Sequence, residues 1–400
     1  MKVELHLIQN LAPSCLNRDD TGTPKDCDFG GVRRARISSQ SWKRAIRESF
    51  ADADGVAPQR RAVRTRRVVD DVASRLEAVG RPREEAERAV VAALAAVGLG
   101  VDAATLATQY LLFLPTRAFD ALARLLDERW EDLAAARSMS SLAKKGAALE
   151  PDLMRAVKEV LAPVGASPEI ALFGRMIADN RDWNVDAACQ VAHAISTHAS
   201  AVEFDFFTAM DDLLPRGAGG AGMLGTSAFN APCFYRYLLV DMDQLADNLA
   251  ADELEPPAAA ELSRATLHAF LRGAISTLPS GRQNAMAAHN PPSFILAVVR
   301  DAGAPMSLAN AFARPVPPRT FGKHDDLVEG SIVALDAHFG DVLALFGRRG
   351  VRRAAWCALS GAVRRPLRHL EDADMTGGGL ARRVATVDEL LAAVTEAVSP

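Results

Sequence analysis

The chain has 400 residues, a mean hydropathy of +0.02 and a formal charge of -4, from 46 basic and 50 acidic side chains. At 49% hydrophobic and 24% charged it can bury a core as one large domain with insertions or as two domains. No apolar run reaches membrane length, the start MKVELHLIQN lacks a signal-peptide apolar region, and the five cysteines are scattered and odd in number. These features argue against a membrane protein and a secreted disulfide scaffold, and lead us to expect reduced thiols in the cytoplasm.

Val3, Leu5 and Leu7 alternate with Glu4 and His6, which predicts a first strand. Gly30-Gly31 predicts a turn, and Arg33, Arg34 and Arg36 follow it. Ser38, Ser39 and Ser41 stand where a helix should begin, serine being a favoured N-cap. On that helix Trp42, Ala45, Ile46 and Phe50 share one side. Gln40, Lys43, Arg44 and Arg47, at i, i+3, i+4 and i+7, share the other. One face can pack on a core while the other meets an anion, aided by the unpaired N–H groups and positive dipole end of the helix start.

From Pro58 to Pro168 the pattern is helical throughout, with no strand signal. VDAACQVAHAISTH predicts another helix. PRGAGGAGMLG (Pro215 to Gly225) is a glycine-rich arm that carries Met223 and Leu224 near its end. PCFYRYLLVDM predicts a central strand, the stretch from about Ala258 to Ile275 a helix, and SFILAVVR a buried strand. The Arg- and Gly-rich stretch from Gly347 to Gly379 is expected to be loosely built. Strands alternating with helices, with two large insertions, predict an α+β fold.

Between Gly30 and Arg67 there are 11 Arg or Lys against 3 Asp or Glu, a local basic excess in a slightly acidic chain. That pattern suits one polyanion along one surface, with nucleic acid ahead of a small phosphorylated ligand. Rival constellations are weaker. His193 and His198 are five apart and share no helix face as a zinc pair would. Cys15 and Cys27 have no histidine at metal spacing. Asp19 and Asp20 with Asp211 and Asp212 could make a two-metal site only if the fold joined them, and paired aspartates are common in turns. GAGGAG lacks the GKS or GKT of a phosphate loop. Phe234, Tyr235 and Tyr237 suit either base stacking or the core. Neither metal nor cofactor is expected. The readings from other classes are a metal-dependent nuclease and a DNA-binding regulator with SSQSWKRAIR as recognition helix.

HLIQNLAPSCLNRDDTGTPK followed by FGGVRRARISSQSWKRAIR resembles the opening of the CasC family, the backbone subunit of the type I-E CRISPR complex Cascade. ALFGRM, QVAHAISTH, FDFFTAMDDL, LGTSAFNAPCFYRY and PMSLANAF resemble the same family in the expected order, whereas Ala51 to Pro168 and the tail after about Gly322 match weakly. The resemblance implies a modified RRM-like (ferredoxin-like) palm of residues 1–57 and 169–400, helical fingers over 58–168, and a thumb hairpin over about 203–230. It implies a non-catalytic protein that lines up head to tail along crRNA with other Cascade subunits and presents the guide to target DNA. The RNA contacts it implies are Ser39, Gln40, Lys43, Arg44 and Arg47, then Met176, Met223, Leu224, Arg282 and Gln283; Arg34 of the basic cluster is placed with them. The lysine-rich helix that family members can carry for target DNA is thin here, at Lys144 and Lys145 with Arg155 and Lys158, so Arg66, Arg67 and Arg137 are candidates to share that task.

Overall fold

The computed structural model describes residues 1–52, 55–137, 149–164, 167–209, 213, 223–250, 254–317, 326–372, 375 and 380–399. They form two units, one of residues 1–49, 190–241 and 270–400, the other of residues 50–189 and 242–269.

The first unit opens with β1 (Lys2–Asn10), the hairpin β2 (Asp26–Phe29) and β3 (Val32–Ile37), and α1 (Ser39–Ser49). The second unit follows with β4 (Ala62–Thr65), α2 (Val68–Ala78), α3 (Arg83–Ala96), β5 (Leu112–Pro115), α4 (Thr116–Glu128), α5 (Ala134–Arg137), α6 (Pro151–Leu161) and α7 (Pro168–Phe173). Then come β6 (Cys189–Val191), β7 (Ala194–Ser196), the ribbon β8 (Glu203–Ala209) and β9 (Met223–Phe229), and β10 (Cys233–Asp241). The helices α8 (Met242–Ala250) and α9 (Pro256–Ser276) precede α10 (Gln283–Met286), β11 (Phe294–Arg300), α11 (Leu327–Phe346), β12 (Val351–Ala358), β13 (Ala381–Arg383) and a last helix, Val387–Val398.

The fold is α+β, as the sequence predicts. One large mixed sheet runs β13-β12-β11-β1-β10-β7-β3-β2, with β6 also beside β10. Its strand β1 is antiparallel to both β10 and β11, while β12 and β13 run parallel. Covered on both faces, β1 buries Val3, Leu5, Leu7 and Ile8. One layer packs Ile332, Leu335, Phe339 and Leu343 of α11 with Phe294, Leu296, Val298 and Trp356 of the sheet.

The polar residues of β1 are buried with partners, as buried charge requires. Glu4 accepts from Arg300 Nε at 2.8 Å and from the Met306 N–H at 2.5 Å. His6 Nδ1 lies 2.9 Å from the Tyr235 hydroxyl, which also accepts the Leu308 N–H. Burial first, then the Arg300 charge, lowers the His6 pKa to about 3, so the ring is neutral and the hydroxyl donates to it. These contacts fasten the PMSLANAF segment to the sheet. Phe234 and Tyr235 are therefore core residues, each 2% exposed, and do not stack bases.

In the second unit α2, α3, α4 and α6 enclose Val69, Val72, Leu76, Val90, Leu94, Leu122, Leu126, Leu153 and Val157. The unit extends beyond the 58–168 block that reads as helical. Phe50 meets Phe173 edge-on, with ring centres 6.5 Å apart, and Asn248 Nδ2 ties α8 to Ala171 O at 2.9 Å and Asp186 O at 2.8 Å.

Three expectations are corrected. VDAACQVAHAISTH forms β6 and β7 rather than a helix, because the sheet supplies pairing that its alanines do not signal. RRAVRTRR contains β4, paired with β5, so the block from 58 to 168 is not all helix. VRRAAWCA, within the stretch expected to be loose, is β12, pairing with β11 and burying Trp356.

Candidate nucleic-acid interface

The start of α1 is held by named contacts. The Ser38 N–H donates to Asn17 Oδ1 at 2.8 Å, and Ser38 Oγ accepts the Ser41 N–H at 3.3 Å as an N-cap. The Ser39 N–H donates to His193 Nδ1 at 2.8 Å. Burial, then Arg36 and Lys25, lower the His193 pKa, which favours the neutral ring that can accept this bond.

The inward face of α1 buries Trp42, Ala45 and Ile46, with Phe50 just beyond. Over the Trp42 ring lies the guanidinium of Arg236, 3.5 Å from its centre. That guanidinium donates to Gln9 Oε1 at 2.8 Å and to Ala274 O at 2.6 Å, and burial lowers its pKa to about 9. On the outward side Gln40 and Arg44 are exposed, and Lys43 and Arg47 half-buried. Arg44 pairs with Glu48 at 2.7 Å with its side chain 72% exposed; such a surface pair is worth about 0–1 kcal/mol and yields readily to a phosphate.

Arg34 does not belong to this surface. It is fully buried, donating to Ser196 O at 3.1 Å and to Phe312 O at 2.7 Å. The turn before it serves the same end. Gly30 and Gly31 have φ of 62° and 75°, and a Cβ on Gly30 would sit 1.9 Å from the Ala313 carbonyl oxygen. The FGGVRR segment thus docks the chain around Phe312 against the sheet and offers no phosphate contact through Arg34.

Among the described residues the β8–β9 ribbon pairs only with itself, and every residue of β8 is exposed. Its register places Phe204 opposite Ala228, Phe206 opposite Thr226 and Thr208 opposite Leu224, so Phe204, Phe206 and Leu224 share one face. Phe207 opposite Gly225 and Ala209 opposite Met223 put Phe207 and Met223 on the other. Gly225 leaves the room that Phe207 fills, since a Cβ there would lie 2.4 Å from the ring. Phe204 is 67% exposed, Phe206 64%, Met223 57% and Leu224 62%. The three phenylalanines were not singled out from sequence; the signal was available in EFDFFTA, an aromatic-rich strand beside a glycine-rich arm.

Arg282 adopts a left-handed φ of 49° and donates to Ser227 Oγ on β9, so the GRQNAM loop stands at the ribbon that carries Met223 and Leu224. Gln283 is half-buried, its Nε2 3.4 Å from Ala288 O. Met176 belongs to the second unit and is 84% exposed. Lys144, Lys145, Asp211, Asp212 and most of the glycine-rich arm lie outside the described residues. Arg137 is not available to a ligand: it pairs with Glu85 at 2.9 Å and Glu131 at 3.4 Å and stacks on Trp130.

Asp19 orders the NRDDTG turn. It accepts the N–H and O–H groups of Thr21 and Thr23 at 2.8–3.0 Å, which hold its pKa down to about 2. Among the described residues no three His, Cys, Asp or Glu side chains are grouped to hold a metal ion, all five cysteines are free, and no helix is long and apolar enough to cross a membrane.

The large mixed sheet with a helical unit and an exposed ribbon is the architecture of subunits solved in CRISPR surveillance assemblies. One such chain, from a "CRISPR RNA-guided surveillance complex, pre-nicking", is 31% identical over 100% of both chains with a TM-score of 0.83. Another, from a "CRISPR RNA-guided surveillance complex", is 26% identical over 100% of both chains with a TM-score of 0.74. The chain belongs to the CT1975-like protein family, whose family model matches residues 3–376, in keeping with its resemblance to CasC-like Cascade backbone proteins. No curated protein matches it.

Proposed function

We propose that this chain is a non-catalytic, crRNA-binding backbone subunit of a type I-E Cascade complex, which lines up head to tail along the guide and presents it for pairing with target DNA in antiviral defence. The observation that carries this reading is α1. One side is locked by Trp42, Ile46 and Arg236, and the other turns Gln40, Lys43, Arg44 and Arg47 outward.

Cations on a fixed helix grip phosphates and position the strand without reading its sequence. Sequence is then read by guide–target pairing. Ser39 sits at the helix start, where its own N–H is taken by His193 and that of Ser41 by Ser38, so it is the positive end of the helix dipole, not free N–H groups, that favours an anion there. The ribbon suits single-stranded nucleic acid, because exposed aromatic and apolar side chains can stack on bases or wedge between them. In this reading Met223 and Leu224 of the ribbon, with Arg282 and Gln283 of the loop beside it, meet the guide, and so does Met176. A head-to-tail contact that does not close generates a helical filament whose length the RNA sets.

The test is the nucleic acid that accompanies the intact assembly through purification. RNA of uniform length, released on denaturation and absent when Lys43, Arg44 and Arg47 are all replaced by Gln, is the expected result. Protein free of RNA that cleaves nucleic acid with added metal would instead establish the nuclease reading, and a compact dimer on one duplex site the regulator.

A further inference from the structure

His193 lies between β6 and β7, yet it bears on the start of α1. The antiparallel register of β3 and β7 sets Arg36 opposite Ile195 and Ile37 opposite Ala194, so one further step brings His193 opposite Ser38 and within reach of Ser39. The chain is fixed from the other side by the Ala192 N–H, which donates to Tyr237 O at 2.9 Å. The Ser39 N–H donates to His193 Nδ1 at 2.8 Å, and Ser39 Oγ donates to Gln40 Oε1 at 3.3 Å. Two hydrogen bonds thus run from the imidazole through Ser39 to Gln40, a proposed guide contact. A ring nitrogen that accepts carries no proton, so the proton of the neutral ring stands on Nε2, which has no partner among the described residues. The charged groups that act on the ring are Arg36 of β3 and Lys25 just before β2, and both oppose a second proton. Asp26, beside Lys25, is held by Arg33 at 2.8 Å.

We propose that His193 is a positioning residue for the guide: it holds Ser39, and through it Gln40, in place only while its ring is neutral, so guide binding weakens as the ring takes up a proton. This rests on the reading of α1 as the helix that grips the guide. Protonation places a hydrogen on Nδ1, and two N–H donors then face each other across 2.8 Å. The bond to Ser39 is lost, and a charged ring is left beside the cations Arg36 and Lys25. Burial, then those two charges, hold the ring's pKa below its usual value of about 6.5. The bond is therefore intact at neutral pH and is lost as pH falls below that value. A histidine that met the guide as a simple cation would do the reverse, attracting phosphate and tightening binding in acid. The bond to Ser39 is what sets the sign.

The experiment titrates the full chain with a fluorescently labelled single-stranded guide RNA from about pH 7.5 down to about pH 5. Wild-type affinity is expected to fall about three- to tenfold over that range, the worth of one net hydrogen bond. His193→Asn, whose Oδ1 can stand where Nδ1 stood and does not titrate, rescues binding in acid and flattens the profile. His193→Gln, whose longer amide stands in for Nε2 instead, leaves Ser39 without its acceptor and binds weakly at every pH. Nitrogen NMR of labelled histidine in the RNA-free wild-type chain reads the bond without any variant, and is expected to show the His193 proton on Nε2 at neutral pH. The opposite tautomer, parallel profiles for wild type and the Asn variant, or wild-type binding that tightens toward acid would each overturn the inference alone. The expected tautomer in a chain that binds no RNA at any pH would overturn the reading of α1, and this inference with it.

Discussion

The guanidinium of Arg236 lies 3.5 Å from the centre of the Trp42 ring, nearer than the arginines that stand over Phe29, Trp130 and Trp356. This pair sets which way α1 faces. A desolvated guanidinium over a tryptophan is worth about 2 kcal/mol, and here it also holds Gln9 and Ala274, so β1, β10 and α9 all bear on the helix through one side chain. Rotation of α1 about its axis would break the pair and bury Arg44.

Trp42→Ala is therefore expected to destabilise the chain by about 3–5 kcal/mol in urea unfolding. Trp42→Phe, which keeps a ring under Arg236, costs clearly less. Equal losses for the two would show that the ring contact does not fix the helix.

Gly30 and Gly31 are neighbours with different reasons for being glycine. Gly31→Ala meets nothing within 4 Å and bears only the left-handed backbone, about 1–2 kcal/mol. Gly30→Ala meets the Ala313 carbonyl as well and is expected to cost distinctly more, with the added loss read as a lower unfolding midpoint. A Gly30 variant no worse than the Gly31 variant would mean that the segment around Phe312 moves aside at little cost.

Arg34 and Arg44 make a second contrast within one basic cluster. Arg34→Ala leaves the Ser196 and Phe312 carbonyls without their donor, and about 1–3 kcal/mol for each unpaired group predicts a stability loss measurable by denaturant. Arg44→Ala is expected to leave stability within about 0.5 kcal/mol and to weaken RNA binding. The opposite pattern would return Arg34 to the interface.

Stability should depend on pH through His6. Its folded pKa, about 3, is depressed below the usual value of about 6.5, so between those values the unfolded chain binds more protons. Stability contributed by the neutral ring is fully present above pH 6.5 and is lost as pH falls from there toward 3. His6→Gln should flatten that part of the unfolding profile. A wild-type profile already flat between pH 6.5 and 4 would show that the buried ring takes up its proton without strain.

Local pattern made α1 legible. Trp42, Ala45 and Ile46 recur at helical spacing, and the structure buries all three. β1, β10 and β11 were equally plain, being long and apolar. Residues 189–196 were not, because alanine, glutamine and histidine become strand only when β10 and β3 supply the pairing. The four residues of β4 are too short and too basic to signal a strand. Arg34 could not be told from Arg33 by composition: the segment that covers it arrives from Phe312, 278 positions away. Helical spacing says nothing of His193, which lies between β6 and β7; its role as acceptor for the Ser39 N–H follows only from the register of β3 against β7.

The central claim, that the outward side of α1 grips the guide backbone, is tested most directly by the salt dependence of guide binding to wild-type chain and to the variant with Lys43, Arg44 and Arg47 replaced by Gln. For a single strand each phosphate that the variant leaves unneutralised should flatten the log–log slope by about 0.7, about 2 in all for three. A variant that folds as the wild type and keeps the wild-type slope would contradict the account.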